Sequence, residues 1–473
     1  MKTLIALLLT LFLFSSVLAD AQESKPTTPP SSAEKDESNP ERERKITPQE
    51  TKELFQSVDE VLRFASKATL LPLKHPVKKA MVSRAEVEKY IGDKFKDDVD
   101  RIRFERSELV LKKFGLLPRT FDLHTFLIKL LGEQVAGYYD EKTKTINLLD
   151  WVQMEMQKPV MAHELTHALQ DQSFDLGKLT KKNEAIEKRG PEDANALIKI
   201  DEESSCRSAV MEGQAMIVLV DYILAPAKRS VEDSPSFVDL MIAQMDKHGE
   251  SPLFDSAPLI LKEELVFPYS RGMKFIQQLL IQGGKELAYT GVVARMPQTT
   301  REIMQPEEYL AGHRIAPLLL PDLSVLKKDY DPYDAGAMGQ LDVSILLKQY
   351  ANDEVANRLS PEWRGGSYYA AGRKGAKPSD PNSSGHIGLL YVSKWSSAEI
   401  ATEFAKVYAS ALKTRYDNTH FVQTTLGAGG SRDKYTSSDG PIFIEQHGDM
   451  LVIVESFDDA TADKLISAAL KPQ

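Results

Sequence analysis

The sequence predicts an α+β fold in which a large, predominantly helical domain with one β-hairpin is followed by a smaller α+β domain with an antiparallel sheet. Apolar residues recur at helical spacing over most of residues 48–320. Two apolar segments, 135–139 and 145–148, flank a polar turn and predict the hairpin. After residue 321 the predicted order is strand, strand, helix, strand, strand, helix, which is typical of an antiparallel sheet backed by helices.

The individual elements follow from local patterns. Thr47, Pro48 and Glu50 form a capping box that starts the first helix. Helical periodicity continues over residues 87–114, 193–224 and 269–282, the last ended by Gly283 and Gly284. In the C-terminal domain, predicted as residues 321–473, we expect helices at 342–350, 396–416 (capped by Ser396 and Glu399) and 460–470, strands at 366–371 and 386–392, and a hairpin at 441–457.

The overall composition is that of a globular protein. The chain has 473 residues, of which 42% are hydrophobic and 27% charged, enough for two or three domains. A formal net charge of −10 argues against a nucleic-acid partner, because no large excess of Lys and Arg is available to bind phosphates. Cys206 is the only cysteine, and we interpret it as a small buried residue on a helix.

The N-terminus predicts export. Lys2 precedes an apolar run over residues 4–17 that is too short for a comfortable membrane span, and small residues follow it. We predict a signal peptide at residues 1–19, with an uncleaved anchor as the alternative, and therefore a periplasmic or extracellular protein. Residues 20–47 are rich in Pro, Ser, Glu and Lys, which predicts a disordered linker. No second apolar stretch reaches spanning length, so we expect no transmembrane span after cleavage.

The motif His163-Glu164-Leu165-Thr166-His167 indicates a metal site. Two histidines four residues apart lie on one face of a helix, so both imidazoles can reach one metal ion. Glu164 can then address a water bound to that metal. Pro159 is expected in the first helical turn, where its missing N–H costs nothing. The motif arises by chance in about one chain in a hundred of this length, so its context has to support it.

A zinc site of this kind needs a third protein ligand and an open fourth position. The best candidate is Glu212, which lies 45 residues after His167 on a predicted apolar helix. The alternative is a surface carboxylate, but a charge on so apolar a helix usually has a partner. Gly213 and Ala215 are small and are expected to let this helix approach the helix of the two histidines closely.

The HExxH motif, followed by Glu212 in a Glu-Gly-x-Ala context, resembles the gluzincin branch of the zincin metallopeptidases over about residues 134–222. Residues 267–269 and 304–307 are similar to segments of exported bacterial proteins of gluzincin type with unassigned substrates. The resemblance implies a zincin-like catalytic domain over residues 48–320 and one Zn²⁺ ion bound by His163, His167 and Glu212. It also implies that the predicted hairpin provides an edge strand for an extended peptide.

The activity implied by this resemblance is hydrolysis of peptide bonds in a peptide or protein substrate by an exported zinc metallopeptidase. Glu164 would be the general base that takes a proton from the zinc-bound water and passes it to the leaving amine. For stabilising the oxyanion, Tyr269 is the first candidate, Arg271 the second and His313 the third. A Tyr beside a Pro is, however, more often a packed residue than a catalytic one.

One departure from the gluzincin pattern concerns the partner of the first histidine. Gluzincins place an Asp four residues after the ligand glutamate, and this chain has Met216 there. The partner of the first histidine must therefore come from elsewhere or be absent. Asp171, Glu202 and Glu203 are possible substitutes, although a surface carboxylate near the end of a helix is the more ordinary interpretation of Asp171.

Two other functions stay open. A non-catalytic binding or scaffold protein on a zincin-like fold is favoured by Met216 and by the uncertain oxyanion donor. The intact Glu164 argues against it, because a protein that no longer catalyses does not need this carboxylate. A purely structural zinc is the third possibility, and it is disfavoured because two histidines and one glutamate leave a ligand position open.

Overall fold

The structure is a computed structural model that describes residues 45–94, 98–135, 137–245, 251–375, 384–427 and 430–471. The predicted signal peptide and nearly all of the predicted linker lie outside the described residues. Within them, helices dominate the first part of the chain and a seven-stranded antiparallel sheet forms the C-terminal part. The predicted α+β order, a helical part followed by an antiparallel sheet, is confirmed.

The helical part begins as predicted, because Thr47 accepts a hydrogen bond from the backbone of Glu50 and the Glu50 carboxylate bonds the backbone of Thr47 in return. Its helices are α1 (Pro48–Thr69), α2 (Arg84–Lys94), α3 (Asp98–Lys113), α4 (Leu123–Gln134), α5 (Met154–Phe174), α6 (Leu176–Glu187), α7 (Ala194–Leu224), α8 (Ser236–Met245), α9 (Pro252–Asp255), α10 (Leu259–Lys285), α11 (Val292–Ala294), α12 (Thr300–Met304) and α13 (Pro306–Leu310). A single turn of π-helix, Glu286–Gly291, joins α10 to α11.

A small sheet lies beside α5. It contains β1 (Lys78–Val82), β2 (Gly137–Asp140) and β3 (Thr145–Leu149) in the order β1-β3-β2. The antiparallel pair β2–β3 confirms the predicted hairpin. Strand β1 pairs in parallel with β3 and was not predicted, because its sequence begins with two lysines and lacks alternation. The arrangement leaves β2 at an edge of this sheet.

Helix α5 starts earlier than the sequence suggested. It begins at Met154, so Pro159 is its sixth residue, and the prediction that Pro159 lies in the first turn is wrong. The extra turn docks on the hairpin through Gln157, whose buried amide bonds both the N–H and the C=O of Leu149 and also the C=O of Val152. These bonds fix the start of α5 against the end of β3.

Helix α7 is the central helix of this part, and its side chains from Ala209 to Val220 are buried. Within the described part of the chain, the helical stretch Gly190–Ala227 is long enough to cross a membrane and contains an apolar window of 18 residues with a mean hydropathy of 1.4. However, 67% of its apolar window is buried inside the protein. Packing within the fold therefore accounts for its apolar character.

Helices α7 and α10 cross in direct backbone contact. A Cβ atom added to Gly213 would lie 2.3 Å from the carbonyl carbon and oxygen of Gly272, and one added to Gly272 would lie 2.1 Å from the carbonyl oxygen of Ala209. The expectation that Gly213 allows close approach to the HExxH helix is therefore wrong: the backbone that Gly213 meets belongs to α10. Only residues without a side chain fit at this crossing.

The C-terminal sheet has the strand order β4-β5-β6-β10-β9-β8-β7, and all of its neighbouring strands are antiparallel. Its elements are β4 (Tyr330–Ala337), α14 (Gln340–Tyr350), α15 (Asp353–Leu359), β5 (Trp363–Arg373), β6 (Ile387–Trp395), α16 (Ala398–Arg415), β7 (His420–Gly427), β8 (Gly430–Ser437), β9 (Gly440–His447), β10 (Met450–Glu455) and α17 (Asp459–Ala469). The sequence did not predict β4, β7 and β8. Helix α16 is capped by Ser397 and not, as predicted, by Ser396.

The sheet and the helical part share one hydrophobic core. Its members run from Leu54 in α1 to Ile453 in β10. Trp363 and Trp395 belong to this core, with 3% and 1% of their surfaces exposed. The two parts of the chain are thus packed together, and the helical part holds the predicted metal ligands.

Candidate metal centre

The three predicted metal ligands meet at one point. His163 and His167 come from α5 and Glu212 comes from α7. The Nε2 atom of His163 lies 3.1 Å from the Nε2 atom of His167 and 3.1 Å from Oε2 of Glu212. The third side of this triangle, between His167 Nε2 and Glu212 Oε2, is 3.3 Å.

This triangle fits a zinc ion. With bonds of about 2.0–2.1 Å, neighbouring ligand atoms around a tetrahedral zinc lie about 3.3–3.4 Å apart, close to the three observed distances. Imidazole nitrogen and carboxylate oxygen are ligands that zinc accepts. Among the described residues, the group that could hold an ion consists of these three side chains, which leaves a fourth position for a water or a substrate atom.

The charges of the three side chains also suit a cation. Burial opposes ionisation of Glu212, but the charge of His167 and hydrogen bonds from both histidines outweigh it and lower the pKa of Glu212 to about 2. Burial likewise opposes charging of His167, but Glu212 raises the pKa of His167 to about 9. Burial lowers the pKa of His163. In the metal-free protein at neutral pH, Glu212 is therefore ionised, His163 is neutral and His167 is protonated on both ring nitrogens; a bound metal would displace the proton on Nε2.

Glu164 is held by the edge strand of the small sheet. Its Oε2 atom accepts a hydrogen bond of 2.8 Å from the backbone N–H of Tyr139 in β2, and only 1% of the residue is exposed. One helical turn therefore carries both predicted metal-ligating histidines and a carboxylate whose orientation is fixed by β2.

A second set of bonds clamps the hairpin to α5. The Tyr139 hydroxyl donates to Oδ2 of Asp171 at 2.9 Å, and Lys144 Nζ lies 2.6 Å from the same oxygen. Asp171 is only 4% exposed. Both earlier interpretations of Asp171 are therefore wrong: it is neither a surface carboxylate nor a partner of a predicted metal-ligating histidine. We call Tyr139, Lys144 and Asp171 the hairpin clamp.

The outer nitrogen of His167 has a partner that the sequence analysis missed. Gln170 Oε1 lies 2.8 Å from His167 Nδ1, and Gln170 Nε2 donates to the carbonyl of Met211 and to Oε1 of Gln214. Gln214 Nε2 donates in turn to two carbonyl oxygens of the π-helical turn. Gln170 could have been found from spacing, because a residue three positions after His167 lies on the same helix face.

The outer nitrogen of His163 is different, since His163 Nδ1 has no hydrogen-bond partner among the described residues. Glu202, one predicted substitute for the missing Asp, instead accepts hydrogen bonds from the backbone and hydroxyl of Thr300, at 2.7 and 2.9 Å, and so does not serve His163. The contact that gluzincins make at this histidine is thus absent from the described residues.

Of the three candidate oxyanion donors, Tyr269 lies beside the metal ligands. Its ring stacks near that of His163, with centroids 6.3 Å apart, and its buried hydroxyl has no hydrogen-bond partner among the described residues. Burial, followed by the charges of Glu212 and Glu164, raises the pKa of Tyr269 well above its usual value. Arg271 lines a separate cavity of about 450 Å³, and His313 is exposed and pairs with Glu308.

Comparison with known proteins bears on a different part of the chain. Residues 329–466 match a family described as a domain of unknown function (DUF8575), a span that covers β4 to β10 and most of α17 but contains none of the metal ligands. No curated protein and no solved structure matches the chain. The family match therefore assigns no chemistry to the candidate metal centre.

Proposed function

We propose that this protein is an exported zinc metallopeptidase of the gluzincin type, which hydrolyses peptide bonds with Glu164 as the general base. The observation that carries the proposal is the triangle of His163 Nε2, His167 Nε2 and Glu212 Oε2, whose sides of 3.1–3.3 Å match a zinc site. Export rests on the sequence of residues 1–19 alone.

Each residue of the centre has a role in this reaction. A zinc ion held by the three ligands would supply a Lewis acid that acidifies a water molecule and polarises the scissile carbonyl. Glu164 takes the proton of the attacking water and delivers it to the leaving amine. The hydrogen bond from Tyr139 N–H orients the Glu164 carboxylate for both transfers.

Tyr269 is the proposed donor to the oxyanion. Because burial raises its pKa, the phenol keeps its proton at neutral pH, and its hydroxyl is not engaged by other described residues. A donor of this kind contributes about 10²- to 10³-fold to kcat. Tyr269→Phe is therefore expected to lower kcat by that factor while the bound zinc is retained; an unchanged kcat would remove Tyr269 from the mechanism.

The edge position of β2 supports a peptide as substrate. An extended peptide can bind at the edge of a sheet through main-chain hydrogen bonds. Strand β2 is an edge strand, and its residue Tyr139 contacts Glu164 directly. A peptide lying along this edge would place its backbone next to the general base.

The decisive experiment combines metal analysis with the substitution Glu164→Gln. Wild-type protein should contain one zinc per chain and cleave members of a proteome-derived peptide library. Glu164→Gln should lose about 10²- to 10⁴-fold in kcat, the contribution typical of a general base, and keep its zinc because Glu164 is not a ligand. Glu155→Gln, an exposed carboxylate on the same helix, is the matched control. Hydrolysis that persists in Glu164→Gln would refute the mechanism.

A non-catalytic metal-binding protein is the second candidate, and the enclosure of the centre favours it. The side chains of His163, His167 and Glu212 are only 1%, 13% and 9% exposed. Stoichiometric zinc without hydrolysis of any library peptide, together with the same partner binding in wild type and Glu164→Gln, would support this candidate over the peptidase.

A further inference from the structure

We infer that Gln170 and Gln214 are positioning residues that set the tautomer of His167 and thereby aim its Nε2 lone pair at the metal position. The inference rests on the metal site of the proposed function, but not on peptide hydrolysis. We call the chain of hydrogen bonds from the π-helical turn through Gln214 and Gln170 to His167 the amide relay. Both glutamines are fully buried, at 0% exposure, so water does not compete for their bonds.

The direction of the amide relay is fixed at its far end. Gln214 Nε2 lies 2.8 Å from the carbonyl oxygen of Ala288 and 3.1 Å from that of Tyr289. Carbonyl oxygens only accept, so this end of Gln214 must be the NH₂ group and its oxygen must face Gln170. The opposite orientation would place three oxygen atoms against one another in a buried site.

The same reasoning passes to the next amide. Gln170 meets the oxygen of Gln214 at 2.9 Å and the carbonyl oxygen of Met211 at 3.0 Å, so it must present its NH₂ group to both. Its own oxygen therefore faces His167 Nδ1 at 2.8 Å, and that nitrogen must carry the proton. In neutral His167 the Nε2 atom then has the free lone pair, on the side where His163 and Glu212 converge.

The π-helical turn thus contributes to a metal site that it does not touch. In a π-helix the hydrogen bonds run from residue i to i+5, and such turns occur frequently at functional sites. Here the turn supplies the two carbonyls that orient the amide relay. Glu212 and Gln214 lie two residues apart on α7, so one helix provides both a metal ligand and a member of the relay.

The test measures zinc affinity by competition with a chromophoric chelator, using the full chain. Gln170→Met keeps the size of the side chain and removes its hydrogen bonds; it should raise the zinc Kd by 10- to 100-fold, as loss of a partner to a metal-ligating histidine usually does. Gln214→Met should act in the same direction with a smaller change. In ¹⁵N-histidine spectra of the zinc-loaded wild type, the His167 Nδ1–H signal should be protected from exchange, and Gln170→Met should abolish this protection.

Gln157→Met is the matched control. Gln157 is also on α5, is equally buried and also bonds backbone groups, but those bonds go to Leu149 and Val152. It should lower the melting temperature as Gln170→Met does and leave the zinc Kd within about twofold of wild type. If Gln170→Met does not fold, Gln214→Met and the wild-type spectra decide.

The outcomes separate this inference from the proposed function. A wild-type Kd and a protected Nδ1–H in Gln170→Met would overturn the amide relay, as would an equal loss of zinc affinity in Gln157→Met. If zinc affinity depends on Gln170 as expected but the protein cleaves no peptide, the result would support the amide relay and refute only the peptidase activity. A wild type that binds no zinc would overturn both.

Discussion

The crossing of α7 and α10 offers a sharp test of how the fold sets the metal centre. Gly213 and Gly272 meet in backbone contact, and each stands close to a residue of the proposed site: Gly213 follows Glu212 directly, and Gly272 lies three residues after Tyr269. The distance between Glu212 and the proposed oxyanion donor therefore depends on how closely the two helices approach. Gly213→Ala is the smallest change that alters this approach.

The size of the effect follows from the contact distances. The new Cβ atom would lie 2.3 Å from the backbone of Gly272, where ordinary contact begins at 3.4 Å, so the helices must separate by about 1 Å. The atoms it meets belong to the backbone and cannot rotate away. Overpacking of this kind costs about 1–3 kcal/mol, a large part of the 5–15 kcal/mol that stabilises a typical protein. A displacement of about 1 Å at a catalytic group also costs about 10²-fold in rate.

Urea unfolding followed by circular dichroism measures the first effect, and kcat measures the second. Gly92→Ala is the control, since Gly92 also lies in a helix but an added Cβ would meet nothing within 4 Å. That substitution should stabilise the protein by about 0.5–1 kcal/mol through the higher helix propensity of alanine. If Gly213→Ala were as stable and as active as Gly92→Ala, the close crossing would not be needed for either property.

Three further predictions concern charged groups. Asp171→Asn weakens the hairpin clamp and should lower kcat with unchanged zinc content; a loss of zinc instead would mean that Asp171 supports the ligands. Because Glu212 raises the pKa of His167 to about 9, zinc binding between pH 6 and 8 should release about one proton, and the zinc affinity should rise about tenfold per pH unit. Calorimetry in buffers of different ionisation enthalpy counts the released protons. A count of zero would contradict this prediction. Burial raises the pKa of Asp334 from 3.8 to about 6, so its protonated form contributes stability that is fully present below pH 3.8 and is lost as the pH rises through 6. Asp334→Asn should therefore raise the free energy of unfolding at pH 7 by about 2.4 kcal/mol more than at pH 4, from 1.36 kcal/mol per pKa unit and a carboxyl that is already partly ionised in the unfolded chain at pH 4. An equal effect at both pH values would contradict the buried charge.

The elements that could be predicted are those whose signal is local. Helix α7 was found from apolar residues at helical spacing that end in a continuous apolar run, and the hairpin β2–β3 from two short apolar segments on either side of a polar turn. Strands β4 and β8 carry several charged residues and Pro332, and β7 is exposed along its described side chains. These strands exist because neighbouring strands pair with them, and backbone pairing of a polar or exposed strand leaves no apolar period in its sequence.

The same distinction applies to the metal centre. His163, His167 and Glu164 share one helical turn, so their spacing alone placed them together. Glu212 was found because a carboxylate is unusual on an apolar helix. The role of Asp171 depended on Tyr139, which is 32 residues away, and no pattern within α5 could indicate that contact.

The amide relay shows that a tertiary contact, once it is known, defines positions that can be recognised in a sequence. Its two glutamines are 44 residues apart, and its last bonds reach carbonyls 74 and 75 residues beyond Gln214, so spacing within one helix does not predict them. Once the bonds are known, however, the positions are simple: one glutamine lies three residues after His167 and the other two residues after Glu212. Neither amide can be replaced alone without leaving buried polar groups unpaired, at a cost of about 1–3 kcal/mol. Proteins that build the same centre should therefore carry both glutamines or replace both together, because each one orients the other.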